Sequence, residues 1–203
     1  MKWFKNLRTM MKLMMAFATV CLLMAAIALY ALQGMGNVQD NFIDVYENRV
    51  IPLKQLNEVI EGVQRIRANV LLHILASDEA QQREAEKQIK QLDENIEKQL
   101  KAYTETKLVA EEEKGVAAFR KEWSEYQRIR TDQVLKNSNA GKKTEAATMA
   151  TGQALAVFRE SQKAANELFQ INFKIAEATA KQGNAEYKQT RLVVLSEIFL
   201  GSG

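Results

Sequence analysis

The chain has 203 residues, 47% of them hydrophobic, with one proline, one cysteine and a formal net charge of +3. That length suits one domain, or one domain with a membrane segment, and a single cysteine excludes a disulfide framework. The basic excess lies at the N-terminus, where Lys2, Lys5, Arg8 and Lys12 stand without acids, whereas residues 33–190 carry 23 Lys/Arg against 24 Asp/Glu. A phosphate-gripping surface on the folded part is thereby excluded, and no nucleic-acid partner is expected.

Residues 13–32, LMMAFATVCLLMAAIALYAL, form an uncharged run that meets the roughly 20 residues needed to cross a bilayer. Cations before the run and none directly after it predict a cytoplasmic N-terminus. Ala26-Ile27-Ala28 offers a cleavage motif for a signal peptide, but the apolar core of such peptides spans only about 7–15 residues. An uncleaved anchor is the preferred reading, with Cys21 as a small apolar residue inside it.

Ala, Leu, Glu, Gln and Lys are abundant and strand-like alternation is absent, which predicts an all-α protein. The first helix after the span has a seam through Leu53, Leu56, Ile60, Val63, Arg67, Val70 and Ile74, with Pro52 near its start. Asp78 is placed to cap the second helix, whose seam is Ala85, Ile89, Leu92, Ile96, Gln99 or Leu100, and Tyr103. A break near Thr104 to Val109 precedes the third helix. Its seam runs through Val116, Phe119, Trp123 and Tyr126 and extrapolates to Arg130, Gln133 and Asn137. The turn NSNAGKK at 137–143 ends it. The fourth helix carries Thr144, Thr148, Thr151, Leu155, Phe158, Gln162, Ala165 and Phe169 and continues toward Gln189.

Four long helices joined by short turns predict an antiparallel up-down-up-down four-helix bundle, with the transmembrane helix continuous with its first member. The expected organisation is a basic cytoplasmic segment at 1–12, a span at 13–32, a bundle at 33–190 and the start of a second span at 191–203. That last segment, TRLVVLSEIFLGSG, is too short to cross a bilayer by itself.

The stretch YENRVIPLKQLNEV at 46–59 contains Arg49-x-x-Pro52-Leu53. In this layout it resembles the junction between first span and bundle in bacterial methyl-accepting chemotaxis receptors. The similarity covers essentially the whole chain. It implies a periplasmic, ligand-sensing bundle on an inner-membrane homodimer. It also implies a cytoplasmic region, absent from this sequence, acting on a chemotaxis histidine kinase with its coupling protein. The same input domain also precedes sensor kinases and cyclic-nucleotide enzymes.

The polar positions of the seams suggest where a ligand sits. Arg67 and Arg130 each lie about ten residues, roughly 15 Å, from the turns at one end of the bundle. Thr144, Thr148 and Thr151 share that height on the fourth helix, and Gln81 or Gln82 approach it on the second. The seams show no carboxylate there, and an unpaired buried guanidinium costs several kcal/mol. A small carboxylate ligand meets that need, with Arg67 and Arg130 as anchors, Gln133, Thr148 and Thr151 as further polar contacts, and Trp123 and Tyr126 as the lower wall. The alternative is that these turns are solvated helix ends or fix register.

Other features carry less chemistry. His73 lacks partners for a metal site and is expected at the surface or a dimer contact. Val59, Gly62, Ile66 and Asn69 form a second stripe, expected to meet a partner subunit or solvent. Glu111, Glu112 and Glu113 suit a first helical turn, where the dipole favours negative charge. No catalytic set, cofactor motif or metal cluster is present, so no enzyme activity is expected. Two rivals remain: a membrane-tethered adaptor that binds proteins without a small ligand, and a sensory bundle that docks a periplasmic binding protein.

Overall fold

The structure, a computed structural model, describes residues 8–200. Lys2 and Lys5 of the expected basic segment, and the Gly-Ser-Gly end of the expected second span, lie outside the described residues. In chain order the elements are α1 (Thr9–Val45), α2 (Ile51–Leu75), α3 (Glu79–Thr104), α4 (Ala110–Ile129), α5 (Lys136–Asn139), α6 (Lys143–Thr151) and α7 (Gln153–Leu200). Two π-helical turns interrupt the series, Tyr46–Val50 before α2 and Arg130–Leu135 between α4 and α5. The chain divides into two compact units, Val45–Ala178 and Met1–Asp44 with Thr179–Gly203.

The first of these units is an antiparallel four-helix bundle. Its members are α2, then α3, then α4 continued through the π turn into α5, then α6 with the first part of α7. Each helix is fixed by the spacing of its buried residues. On α3 they are Ala85, Ile89, Leu92, Ile96, Leu100 and Tyr103, one apolar stripe at intervals of three and four. Asp78 caps that helix by accepting the Gln81 N–H at 2.9 Å, as its position predicts. At the turn after α5, Gly141 adopts φ +74°. Its N–H reaches Ser138 O while the Lys142 N–H reaches Asn137 O, the paired closure that a left-handed glycine allows.

The π turns have separate causes and effects. Pro52 has no N–H, and its ring crowds the carbonyl four residues back. The preceding turn opens, and the Ile51 N–H bonds Tyr46 O, five residues back. The turn at Arg130–Leu135 inserts one residue into the third bundle helix. Its buried positions therefore run Val116, Phe119, Trp123, Tyr126, Ile129 with Arg130, Val134 and Ser138. The extrapolated seam through Gln133 and Asn137 is corrected by one residue beyond Arg130.

The fourth helix is corrected in phase as well. Ala146, Ala150, Ala154, Phe158, Ser161, Ala165, Leu168 and Asn172 are buried, while Thr144, Thr148 and Thr151 are exposed. The stripe Val59, Gly62 and Ile66 lies in the core rather than on an outer face. A methyl group on Gly62 would stand 2.8 Å from Ile96 Cγ1, so α2 and α3 meet closely there.

In the other unit, α1 buries none of its residues; Leu13, Phe17, Leu22 and Leu29 are all exposed, as on a helix surrounded by lipid. Among the described residues one helix, Thr9–Leu75, is long and apolar enough to cross a membrane. Thr19 returns its hydroxyl to Met15 O at 2.8 Å, which leaves no polar side-chain group unsatisfied at that point. Asn41 Nδ2 donates to Glu186 Oε2 at 3.1 Å.

Candidate functional site

Arg67 on α2 and Tyr126, Trp123 and Arg130 on the third bundle helix come together with Phe158 of α7. The Arg67 guanidinium carbon lies 5.7 Å from the Phe158 ring centre, and that of Arg130 lies 5.9 Å from the Tyr126 ring centre. The Trp123 and Tyr126 rings are 5.4 Å apart, and Tyr126 and Phe158 are 5.5 Å apart. Two cations thus rest on a wall of aromatic faces, whose negative quadrupoles favour them.

The two arginines differ in what satisfies them. Arg130 is 4% exposed and makes a forked pair with Asp93, Nη1 to Oδ1 at 3.1 Å and Nη2 to Oδ2 at 2.7 Å. Asp93 also accepts Gln127 Nε2 at 3.1 Å. The seams lack a carboxylate at this height, as expected, but the inference that Arg130 needs an outside anion is corrected, because Asp93 reaches it from beside the seam. Asp93 sits beside the α3 stripe, next to Leu92, and its short side chain turns inward to the guanidinium.

Arg67 is half-buried and its Nη1 has no hydrogen-bond partner; the Tyr126 hydroxyl, wholly buried, has none either. Burial raises the Tyr126 pKa above its ordinary value of 10.0; the charges of Arg67 and Arg130, and the Arg67 guanidinium turned toward the phenol oxygen, oppose that rise. The phenol therefore stays protonated, and it lies within electrostatic reach of a guanidinium whose hydrogen-bonding capacity is not used up. The guanidinium N–H and the phenol lie close enough to influence each other, yet neither makes a hydrogen bond of good geometry, and together they suit an acceptor with negative charge.

The remaining expected site residues separate from this group. Thr148 bonds Thr144 O at 2.9 Å and Thr151 bonds Ala147 O at 2.8 Å, both on the exposed side of their helix. Gln133 is half-buried, and its carbonyl accepts Asn137 Nδ2 at 2.8 Å. A shallow groove of about 350 Å³ between α3 and the π turn with α5 is lined by Lys90, Asp93, Arg130, Thr131 and Lys136 among others. Arg67 is not part of that lining.

Two further polar clusters were not legible as such. At the turn end of the bundle, His73 is fully buried, not at the surface. Its Nδ1 meets Ser138 Oγ at 2.9 Å and its Nε2 meets Glu86 Oε1 at 3.2 Å, while Asn139 Nδ2 donates to the same Glu86 oxygen at 2.7 Å. The order Ser-His-Glu resembles a hydrolytic relay, but Ser138 is fully buried, and a nucleophile must reach its substrate.

The second cluster lies at the opposite end. Glu112 lies in the first turn of α4, as expected, and is fully buried there. Its Oε1 accepts the Tyr103 hydroxyl at 2.9 Å and Asn172 Nδ2 at 2.7 Å. Its Oε2 accepts the Val109 N–H at 2.9 Å and faces Arg49 Nη1 at 3.4 Å. One carboxylate therefore joins the π turn before α2, the end of α3, the start of α4 and the middle of α7. Burial comes first, and Glu112 second, in raising the Tyr103 pKa far above the usual tyrosine range.

A family model described as a four helix bundle sensory module for signal transduction matches residues 6–187. The chain belongs to this family. It is the sensory module of methyl-accepting chemotaxis proteins, a signal-transduction family and not an enzyme family. No curated protein matches the chain. The sensory module accounts for the fold, and for the junction sequence around Arg49 and Pro52 that lies inside the matched residues.

Proposed function

We propose that this sensory module is the input region of an inner-membrane chemoreceptor, that its bundle lies in the periplasm, and that it binds a small carboxylate at Arg67. The observation that carries this reading is the buried, unpartnered Nη1 of Arg67 beside the unpartnered Tyr126 hydroxyl. Arg67 is the charged anchor and Tyr126 a neutral donor, with Phe158 and Trp123 as the aromatic wall. Arg130 serves through its pair with Asp93, which holds the wall in place; a ligand carboxylate that displaces Asp93 would recruit it directly. Thr148 and Thr151 on the fourth bundle helix, and Gln133 on the third, join the site only if those helices turn on binding.

The module works as a homodimer, and the ligand shifts α7 against α2 by the 1–2 Å common in packed-helix switches. A cytoplasmic region beyond this sequence relays the shift to a chemotaxis histidine kinase and its coupling protein. The test is a thermal-shift screen of the solubilised chain against organic acids and amino acids. A ligand at about a hundred times its dissociation constant adds roughly 2.7 kcal/mol. A stabilising acid whose effect is lost in Arg67→Ala supports the reading. A silent panel on folded protein favours instead an adaptor, or docking of a periplasmic binding protein.

A further inference from the structure

The cluster around Glu112 lies outside the ligand site, and only its Tyr103 ring belongs to the hydrophobic core. Phe158 and Asn172 are 14 residues apart on α7, or about 21 Å, so the cluster is remote from Arg67. A buried carboxylate is tolerated only when its oxygens are well supplied with donors. Glu112 meets that condition with two close donors on Oε1, one on Oε2, and the Arg49 charge facing Oε2 at 3.4 Å. We propose that Arg49, Tyr103, Glu112 and Asn172 form a latch that fixes the register of α7 against the other three bundle helices, and that breaking the Asn172–Glu112 bond frees α7 to move.

Asn172 is the member built to let go. Val109 is tied to Glu112 by three residues of chain, and Arg49 carries a charge of its own. Asn172 is neutral and gives Glu112 one bond, while its own Oδ1 is buried without a partner. A 2 Å slide of α7 across the 2.7 Å bond lengthens it to about 3.4 Å and tilts it off line, which ends it as a useful hydrogen bond. Glu112 then keeps the Tyr103 hydroxyl and the Val109 N–H as close donors, with the Arg49 charge still facing it at 3.4 Å, so opening the latch does not strand a buried charge. The same displacement leaves the apolar contacts of α7 nearly intact, because dispersion contacts are many and shallow. A short polar contact therefore sets the register to within a fraction of an ångström, and the smooth apolar stripe does not.

That the latch gates signalling rests on the proposed receptor reading; that it holds α7 does not, and the test needs no ligand. Amide hydrogen exchange is measured on the full chain in detergent or nanodiscs. Asn172→Asp sets a second carboxylate against Glu112. Exchange in residues 160–178 should rise about tenfold or more, as expected for losing a hydrogen bond to a charged group, while residues 85–100 of α3 stay as they were. Glu112→Gln combined with Asn172→Asp restores an amide–carboxylate pair with the roles exchanged, and protection of residues 160–178 should return. Should the aspartate variant fail to fold, Asn172→Ala removes the bond without adding charge and is read in the same way. The proposal is overturned if the single variants leave residues 160–178 protected, if all four helices loosen equally, or if the exchanged pair stays as open as Asn172→Asp alone. A latch that passes this test in a chain that binds no acid would leave the proposal standing and the carboxylate reading refuted.

Discussion

Arg130 and Asp93 face each other across two bundle helices, with both terminal nitrogens of the guanidinium on both oxygens of the carboxylate, at 3.1 and 2.7 Å. The arginine side chain is 5% exposed and the aspartate 21%, so the two ends of the bond are not equivalent. Asp93→Ala strands a buried cation and should lower stability by about 3 kcal/mol, the low end of the range for breaking a buried pair. Arg130→Leu leaves behind a carboxylate that water can reach and should cost less. Urea denaturation of both variants measures the asymmetry; equal losses would mean that the pair is solvated in practice.

Tyr103 and Tyr126 make stability depend on alkaline pH. Both have pKa values raised above the ordinary 10.0, chiefly by burial. The unfolded chain therefore releases these protons first, and the folded chain holds more protons above that pH. The stability they contribute is complete below about pH 10 and falls as pH rises further. Thermal melts from pH 9 to 11 should show the decline, with a shallower slope in Tyr103→Phe. Arg67→Leu removes a charge that opposes the shift of Tyr126, so the Tyr126 pKa should climb further in an ultraviolet titration.

Glycine replacements should change sign with position. At Gly62 a methyl would lie 2.8 Å from Ile96 Cγ1, and Ile96 is only 1% exposed and cannot retreat. Alanine gains about 1 kcal/mol of helix propensity, but overpacking costs about 1–3 kcal/mol. Gly62→Ala should therefore be destabilising by about 1 kcal/mol. A methyl on Gly183 meets nothing within 4 Å, and Gly183→Ala should raise the melting temperature by the propensity gain alone. A stabilised Gly62→Ala would mean that α2 and α3 pack less closely than described.

The π turn at Arg130–Leu135 gives a deletion prediction. Removing exposed Asp132 brings the buried spacing from Arg130 to Val134 down from four residues to three, which an ordinary α-helix accommodates. The variant should keep its helical circular dichroism and lose little melting temperature. A one-residue deletion at Ser124, in the regular part of α4, rotates everything beyond it by about 100° and should unfold the bundle. Similar losses at both sites would argue against an inserted residue.

How far the sequence reveals this fold depends on residue size and on regularity. The α3 stripe and its cap at Asp78 are visible because the apolar residues are large and the helix is uninterrupted. The third helix is legible as far as Arg130 and then slips, because an inserted residue changes which side chains face inward without altering composition. The fourth slips for another reason: Ala146, Ala150 and Ala154 are buried, but alanine is too small to outweigh the threonines beside it in a hydropathy pattern. Of the candidate site, Arg67, Arg130, Trp123 and Tyr126 converge as a shared layer suggests. The pairings of Asp93, His73 and Glu112 are not legible, because they rest on partners far away in sequence, 65 residues for His73 with Ser138 and 63 for Arg49 with Glu112. Periodicity carries no information about such pairings.

The inserted residue at Arg130–Leu135 also bears on how chains of this kind are compared and recombined. A helix without the insertion aligns with this one only if a gap of one residue is opened inside an otherwise unbroken helix, where alignments rarely place gaps. Ungapped, the comparison pairs Gln133 with a core position and Val134 with a surface one from that point to the turn. A hybrid receptor that exchanges the far end of the third helix should take the whole of 130–135 from one parent. A junction within those residues would mix two phases, and buried residues from one donor would then emerge on the outside of the other.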